Sequence, residues 1–369
     1  MLGHSGKFRL FEELTSLDQT DNSVQAHLLD DEPADPLLDD VINQITTAQT
    51  GEDHQLYHSG IFPSATKGRD TFVPSFSYGD RTRSFLKIQD GCDYFCSYCT
   101  IPLARGRSRS DTIENTLKNA REIIGHDIKE IVLTGVNIGD FGRQNGENFI
   151  RLIRELDQIE GMSRIRISSI EPDLLTNEII EFVAGSKNFM PHFHIPLQSG
   201  SNRILKAMHR KYTCELYADR VLKICTLMPN ACIAADLITG FPGETNEDFE
   251  DTFTFLEQLS ISYLHVFTYS KRDNTAAAKM EALVPDREKK RRSDRLHHLS
   301  EVKKRQFYLL NKDREVHVLF ESDNTMGHMH GFSENYIRVK TMYNPAFVNQ
   351  VVPVKLNTIA DDGNFIVEL

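Results

Sequence analysis

The hydrophobic and polar positions of the chain divide it into parts of different texture. Up to about residue 75 the sequence is acidic and interrupted by prolines, which predicts a linker or loosely held segment. From Ser84 onward, short β-rich runs alternate with helical patterns. The runs are SFLKIQ (84–89), EIVLT (130–134), RIRISSI (164–170), HFHIPL (192–197), IAADLIT (233–239) and YLHVFTY (263–269). Six strands separated by helices predict an α/β fold with a parallel sheet.

The segments between these runs carry helix start and stop signals. Asp111 and Glu114 form a capping-box pattern, and Gly125 is a plausible stop for that helix. Thr245 and Asp248 open a later helix in the same way. Periodicity alone leaves two arrangements open, a sheet that closes toward a barrel and an open doubly wound sheet.

The pattern changes again after Pro285. A helix is predicted from this proline to about Asn311, because proline is well tolerated at the first helical position. Beyond it the sequence becomes all-β. The short strands are EVHVLFE (315–321), NYIRVKT (335–341), VVPVKL (351–356) and NFIVE (364–368). Such a series, separated by polar and glycine-containing turns, predicts a small β-barrel.

Charge is unevenly distributed along the 369 residues. Residues 1–60 hold twelve acidic and two basic side chains, which accounts for most of the net charge of −11. Residues 285–314 hold eleven basic and five acidic side chains, which indicates either an RNA-binding footprint or a solvated helix face. No apolar run is long enough to cross a membrane, and the first residues lack a signal-peptide core. We therefore expect a cytoplasmic protein, where clustered cysteines indicate metal or redox chemistry.

Three of the six cysteines lie together in GCDYFCSYC, as Cys92, Cys96 and Cys99. A structural zinc site normally takes four ligands, whereas a [4Fe–4S] cluster on three thiolates leaves one iron open for a substrate or cofactor. The loop follows a predicted strand, at the end where parallel α/β folds place their chemistry. The spacing favours a catalytic cluster over zinc or a structural cluster. The other cysteines, Cys214, Cys225 and Cys232, are predicted to be small buried hydrophobic residues.

Cys92-x3-Cys96-x2-Cys99, with Tyr98 before the last cysteine, resembles the signature of the radical S-adenosylmethionine (SAM) superfamily. Surrounding motifs resemble its methylthiotransferase family over about residues 83–369. They are CTIPLARGRSRS (99–110), LTGVNIGDFG (133–142), SSIEP (168–172), HIPLQSGSNRILKAMHRKYT (194–213), DLITGFPGET (236–245) and FTYSKRDNTAAAKM (267–280). The long linker and LTGVNIGDFG look most similar to the tRNA enzymes that act on N6-threonylcarbamoyladenosine.

This resemblance implies a domain arrangement. We expect an incomplete (β/α)6 radical-SAM barrel at 76–284, a connecting helix at 285–312 and a TRAM-like RNA-binding β-barrel at 313–369. Family members also carry an N-terminal domain with three cysteines for a second cluster, the proposed sulfur source. Since no cysteine precedes Cys92, residues 1–75 are interpreted as a poorly ordered remnant of that domain plus an acidic linker.

The resemblance also implies roles for individual residues. The three clustered cysteines hold the [4Fe–4S] cluster, whose open iron binds SAM. Tyr98 is expected near the adenine and Gly135 where backbone approaches the methionine moiety. Glu171 is expected at the ribose or amino group, Gln198 facing the cofactor, and Arg210 at the carboxylate. The structural alternatives are core packing for Tyr98, a turn glycine at Gly135 and a surface arginine at Arg210.

The implied reaction is methylthiolation at C2 of N6-threonylcarbamoyladenosine beside the tRNA anticodon, through reductive SAM cleavage. The alternatives are isopentenyladenosine as substrate, SAM cleavage without sulfur transfer, and an RNA-binding protein with a structural cluster. Expected partners are the tRNA anticodon stem-loop and an electron donor such as flavodoxin or ferredoxin, for a monomer without membrane contact. Removing 313–369 is predicted to weaken tRNA binding and spare cofactor cleavage. Arg105, Arg107 and Arg109 form a basic stripe that either steers anticodon phosphates or makes structural salt bridges within the loop. The other predicted RNA contacts are Tyr336, Arg338, Lys340 and Lys355.

Overall fold

The structure is a computed structural model that describes residues 72–77 and 82–369. The predicted remnant and linker, 1–75, lies almost entirely outside these residues. The described chain is α/β, as predicted. Its first strands and helices are β1 (Arg83–Lys87), β2 (Gln89–Asp90), α1 (Ile101–Arg105), β3 (Arg109–Ser110), α2 (Ile113–Gly125), β4 (Glu130–Thr134), α3 (Phe149–Leu156), β5 (Ile165–Ile167), α4 (Asn177–Gly185) and β6 (His192–His194).

The chain continues with α5 (Asn202–Ala207), α6 (Cys214–Leu227), β7 (Cys232–Thr239), α7 (Asn246–Gln258), β8 (Tyr263–Thr268) and α8 (Asp286–Leu310). The six predicted strands of this part are confirmed. They pair in parallel in the orders β1-β4-β5 and β6-β7-β8. Isolated parallel bridges, one of them between Ser169 and His194, connect the two groups. The carboxyl ends of all six strands therefore lie along one edge.

Alternate residues of these strands face opposite environments. On β4, Ile131 and Leu133 pack with the helices in the main hydrophobic core. Glu130, on the other face of the same strand, is buried among arginines. The face turned toward the helices is thus apolar, as expected for a parallel sheet covered by crossovers, whereas the opposite face carries charge.

One of the two predicted capping boxes is confirmed, and Pro285 is the N-cap of α8 and not its first helical residue. The capping box of Thr245 and Asp248 is present at the start of α7. The cap predicted at Asp111 is wrong, because Thr112 is the N-cap of α2 and its side chain accepts from the Asn115 amide. Asp111 still belongs to the preceding extended segment, where its amide donates to Ile88 at 3.0 Å. No helix in the described part of the chain is long and apolar enough to cross a membrane.

A mostly antiparallel six-stranded sheet follows α8, in the order β12-β9-β10-β11-β14-β13. Its strands are β9 (Glu315–Phe320), β10 (His328–Phe332), β11 (Arg338–Met342), β12 (Val351–Lys355), β13 (Thr358–Ile359) and β14 (Phe365–Ile366). The sequence did not predict β10, which is poor in β-branched residues. Strand β11 begins at Arg338 rather than at Asn335, because Tyr336 adopts a left-handed turn with φ of 64°.

The C-terminal sheet packs against the amino ends of the parallel strands. Cys232 and Tyr263, the first residues of β7 and β8, contact the core of this sheet. Arg164, just before β5, donates to the carbonyl groups of His317 (3.0 Å) and Ser333 (3.0 Å). The edge opposite the carboxyl ends is therefore covered.

Candidate cluster and cofactor site

The three clustered cysteines lie on the loop that follows β2, at the carboxyl edge of the sheet. Two backbone hydrogen bonds hold the loop in place. The Cys92 amide donates to the Gly106 carbonyl oxygen at 3.2 Å, and the Ser97 amide donates to the Met208 carbonyl oxygen at 3.1 Å. Gly91 begins it with φ of 69°, and an added Cβ would lie 2.0 Å from the Arg107 carbonyl oxygen. Only glycine therefore fits this turn.

Each of the three cysteine sulfurs accepts a hydrogen bond. The Tyr94 amide donates to Cys92 Sγ at 3.4 Å. The Ile101 amide donates to Cys99 Sγ at 3.5 Å. The third sulfur, Cys96 Sγ, accepts from Arg210 Nη1 at 3.1 Å. Hydrogen bonds to sulfur stabilise metal-bound thiolates and tune iron–sulfur clusters, so this donor set fits a cluster held by three cysteines.

The surroundings of the free thiols favour the protonated form. Burial raises the pKa of Cys92 to about 11 and also raises the pKa of Cys96. A bound metal cation removes such protons outright. Cys92 and Cys96 are therefore suited to metal binding and poorly suited to act as free nucleophiles near neutral pH.

Arg210 contacts three other predicted site residues. Its Nη1 also lies 3.5 Å from the Tyr98 hydroxyl, and its Nη2 forms an ion pair with Glu171. The side chains of Arg210 and Glu171 are 4% and 16% exposed. Burial raises the pKa of Glu171, and the ion pair with Arg210 opposes this rise without cancelling it. The structure thus brings Cys96, Tyr98, Glu171 and Arg210 together.

Gln198 lies a short distance along the same edge. With φ of 69°, it is a strained left-handed residue after β6. Its backbone amide donates to the Asp236 backbone carbonyl at 2.7 Å, and its backbone carbonyl accepts from the Ile238 amide at 3.0 Å. Gln198 lines a cavity of about 250 Å³ together with Tyr98 and Asp236. It is therefore placed beside the four-residue group.

Gly135 lies on the loop after β4, as predicted. A Cβ there would lie 2.8 Å from Ile138 Cγ2 and 3.0 Å from the Gln89 carbonyl oxygen. The close packing of these groups already explains the glycine. A role in backbone approach to a ligand therefore stays a prediction.

Gln89 is a site residue that the sequence did not reveal. Its Oε1 accepts from the amides of Val136 (2.9 Å) and Asn137 (2.8 Å), and its Nε2 donates to the Gly91 carbonyl at 2.8 Å. The side chain therefore joins the cluster loop to the loop after β4. A polar residue closing the run SFLKIQ was the only available signal.

Asn137 is a second residue that sequence reasoning missed. It is 2% exposed, yet neither polar atom of its side chain has a hydrogen-bond partner among the described residues. Buried polar groups are nearly always paired in folded proteins. An unpaired amide two residues from Gly135 therefore indicates a place where a ligand group can bind, which fits a site for SAM.

Two of the three arginines beyond the cluster form the loop salt bridges that the sequence left open as the alternative to RNA contact. Arg105 and Arg109 both form ion pairs with Asp90, at 2.9 and 3.1 Å. Arg107, 72% exposed at its side chain, lies 3.3 Å from Asp93. Two of the three arginines therefore hold the loop together, and Arg107 is the one that remains accessible.

Tyr336 and the basic helix α8 are also less available to RNA than the sequence predicts. Tyr336 is half-buried and stacks on His192, with ring centroids 4.3 Å apart. On α8, much of the basic charge is neutralised by ion pairs. These pairs are Lys289–Asp286, Lys290–Asp294, Arg291–Glu288, Arg292–Glu244 and Arg295–Glu250. The basic composition of this helix therefore overstates its free positive charge.

Comparisons with known proteins agree with this geometry. The Radical SAM superfamily model matches residues 86–256, and the predicted cofactors, a [4Fe–4S] cluster and SAM, are those of this superfamily. The threonylcarbamoyladenosine tRNA methylthiotransferase MtaB of Bacillus subtilis is 41% identical over 290 residues, 77% of this chain and 64% of that protein. Its counterpart in Chlamydia pneumoniae is 36% identical over 304 residues, 80% and 70% of the two chains.

A third relative is named for a different substrate. The tRNA-2-methylthio-N(6)-dimethylallyladenosine synthase of Acetivibrio thermocellus is 41% identical over 219 residues, 59% of this chain and 46% of that protein. The chain thus spans 64% of the Bacillus relative and less of the Acetivibrio one. These matches show that the chain belongs to the radical SAM tRNA methylthiotransferase family.

Proposed function

We propose that this chain carries the catalytic core of an enzyme that adds a methylthio group at C2 of N6-threonylcarbamoyladenosine next to the tRNA anticodon. One observation carries the proposal: three cysteine sulfurs, each with a hydrogen-bond donor, lie beside the buried pair of Arg210 and Glu171. The similarity to two MtaB proteins over more than three quarters of the chain supports the choice of substrate.

The proposed architecture follows the same family. We infer that the six parallel strands form an incomplete (β/α)6 barrel at 76–284 and that 313–369 is a TRAM-like barrel that contacts RNA. Residues 285–312 form the helix that connects the two. Support comes from the parallel strand order and from the charged face of β4 that turns away from the helices.

The residues of the site have distinct roles in this proposal. Cys92, Cys96 and Cys99 would hold the cluster, which together with SAM supplies the one-electron chemistry that activates a C–H bond. Arg210 donates to Cys96 Sγ and is held in that position by Glu171. A buried positive charge beside a ligating sulfur stabilises added negative charge. Arg210 is thus placed to make the site easier to reduce.

The remaining residues bind SAM and exclude water. Tyr98 packs edge-on against Phe241, with ring centroids 6.3 Å apart, so its ring is fixed next to the cluster loop. Gly135 and Gln198 offer backbone and amide groups along the same edge. The proposed partners are the anticodon stem-loop of tRNA and a one-electron donor such as flavodoxin or ferredoxin.

Anaerobic reconstitution tests the proposal. The purified chain should bind about four irons, as one cluster requires, and should form 5′-deoxyadenosine from SAM when reduced with dithionite. Cys92→Ala should lose the iron and the product. Cys225→Ala, in the helix α6, is the matched control and should retain both. A chain with a full cluster that forms no 5′-deoxyadenosine would overturn the proposal.

The substrate is tested separately with tRNA from a strain that lacks the native enzyme. The protein expressed in that strain should convert threonylcarbamoyladenosine to its methylthio derivative, as detected by mass spectrometry of digested tRNA. Conversion of isopentenyladenosine instead would favour the reaction for which the Acetivibrio relative is named.

A further inference from the structure

One face of β8 is open although the strand belongs to a parallel sheet. Leu264 and Val266 pack into the main core. His265 lies between these two residues on the strand, and Phe267 follows Val266. Both are exposed, and Phe267 retains 55% of its accessible surface. Parallel strands are normally covered on both faces. The exposed face of β8 therefore borders a space that a ligand can enter.

This space includes the cavity beside the predicted cofactor residues. Phe267 and Arg272 line it together with Tyr98, Gln198 and Asp236. The cavity thus presents an exposed aromatic ring, a carboxylate and a guanidinium next to the residues proposed to bind SAM. An aromatic ring beside fixed polar groups is the usual arrangement for binding an unstacked nucleobase.

The polar groups behind the cavity are held in place. His194 Nδ1 lies 2.6 Å from the Ser169 hydroxyl and its Nε2 lies 2.6 Å from Asp236 Oδ1. His265 packs edge-on against His194, with ring centroids 5.2 Å apart. One polar atom from each of His194, Asp236 and His265 lies within 4.8 Å of the others. Asp236 is thus a fixed hydrogen-bond acceptor on the cavity wall.

We propose that Phe267, Asp236 and His265 form the binding site for the target purine base of the substrate RNA. Phe267 stacks on the base, and Asp236 accepts a hydrogen bond from an N–H group on its edge. His265 contacts the same edge from the neighbouring strand. This inference rests on the proposed function, since it places a substrate base beside the cofactor site. A base next to an anticodon is already unpaired, so no duplex has to be opened.

The test uses an anticodon stem-loop RNA with 2-aminopurine at the position that follows the anticodon. Binding to the reconstituted chain should quench the fluorescence of this base by stacking on Phe267. Phe267→Leu should weaken binding about 5- to 150-fold, the range for loss of one base–aromatic stack, and should remove most of the quenching. Leu222→Ala is the matched control, because Leu222 is 68% exposed on α6, away from this face.

Two further measurements define the outcome. Asp236→Asn should weaken binding of the purine loop and leave binding of a loop with uridine at that position unchanged. Equal affinity of wild type and Phe267→Leu, or equal affinity of purine and uridine loops for wild type, would overturn the inference. Iron content measured on every variant reports correct folding.

Failure of the proposed function gives a different result. Wild-type protein that quenches 2-aminopurine but forms no 5′-deoxyadenosine would contradict the radical reaction and support the base site. Wild-type protein that forms 5′-deoxyadenosine, with quenching unaffected by Phe267→Leu, would contradict the base site alone.

Discussion

The two ends of the parallel strands use polar residues in opposite ways. At the carboxyl ends, the buried side-chain amide of Asn137 has no hydrogen-bond partner among the described residues, and the ring of Phe267 is exposed. At the amino ends, charged residues are buried and paired. Glu130 Oε2 lies 2.9 Å from Arg164 Nε and 2.9 Å from Arg166 Nε, and its side chain has no exposed surface. One end is arranged for ligands and the other for another part of the chain.

The amino-end group continues into the C-terminal sheet. Arg166 donates to the carbonyl groups of Ser333 (2.7 Å) and Glu334 (2.9 Å), and its guanidinium lies 5.0 Å from the ring centroid of Tyr336. These partners compensate charges that would be costly to bury alone. The C-terminal sheet is thus structurally part of the α/β unit, and its removal would uncover buried charges.

The largest expected effect is that of deleting 313–369. Since the deletion removes the carbonyl partners of Arg164 and Arg166, we expect an aggregated or non-cooperatively folded product with little bound iron. This revises the prediction from sequence that cofactor cleavage would survive. Size-exclusion chromatography and iron analysis of the truncated chain check it. A monomeric product with full iron and normal SAM cleavage would contradict the comparison.

A single substitution at the amino end should be strongly destabilising. Glu130→Gln leaves the guanidinium groups of Arg164 and Arg166 without their carboxylate and should lower the free energy of unfolding by about 3–5 kcal/mol. Denaturant unfolding of the iron-free protein measures this difference. The control is Glu155→Gln, which removes an exposed ion pair with Arg151 and should change stability by less than about 1 kcal/mol. Equal effects of the two substitutions would refute the proposed importance of the buried group.

The same group predicts a pH dependence. Burial opposes ionisation of Glu130, but Arg166, Arg164 and Arg83 hold its pKa well below the usual value of 4.5. Because the folded-state pKa is depressed, the carboxylate stabilises the fold above the unfolded-state pKa and loses this effect as the pH falls toward the folded-state pKa. The stability difference between wild type and Glu130→Gln should therefore be constant from about pH 5.5 to 7 and shrink below about pH 4.5. A difference that persists unchanged below that pH would contradict the assignment.

The same contrast decides what the sequence could predict. Local signals located the six parallel strands, the cap of Thr245 and the helix α8, because these depend on neighbouring residues. The strand β10 was not predicted from the sequence, because Gly331 lowers its β-propensity. Gly331 is required there by a contact, since an added Cβ would lie 2.5 Å from Val318 Cγ1.

The site was predictable where a short motif carried it and unpredictable where it depended on tertiary contacts. The cysteine spacing identified the cluster loop without the structure. Gln89 and Asn137 look like ordinary polar residues in the sequence, and only burial distinguishes them. Tyr336 was assigned to RNA because an aromatic among basic residues is typical of RNA-binding strands, whereas the fold places it against His192.

The smallest expected effect on stability is at the carboxyl end. Since the Asn137 amide is buried without a hydrogen-bond partner among the described residues, it opposes folding, and replacing it by a similarly sized apolar residue removes that penalty. Asn137→Leu should therefore leave the free energy of unfolding within about 1 kcal/mol of wild type or raise it. If the amide binds SAM, the same variant should bind SAM at least tenfold more weakly in calorimetry of the reconstituted protein. Destabilisation as large as that of Glu130→Gln would show that Asn137 supports the fold, and the contrast between the two ends would then fail.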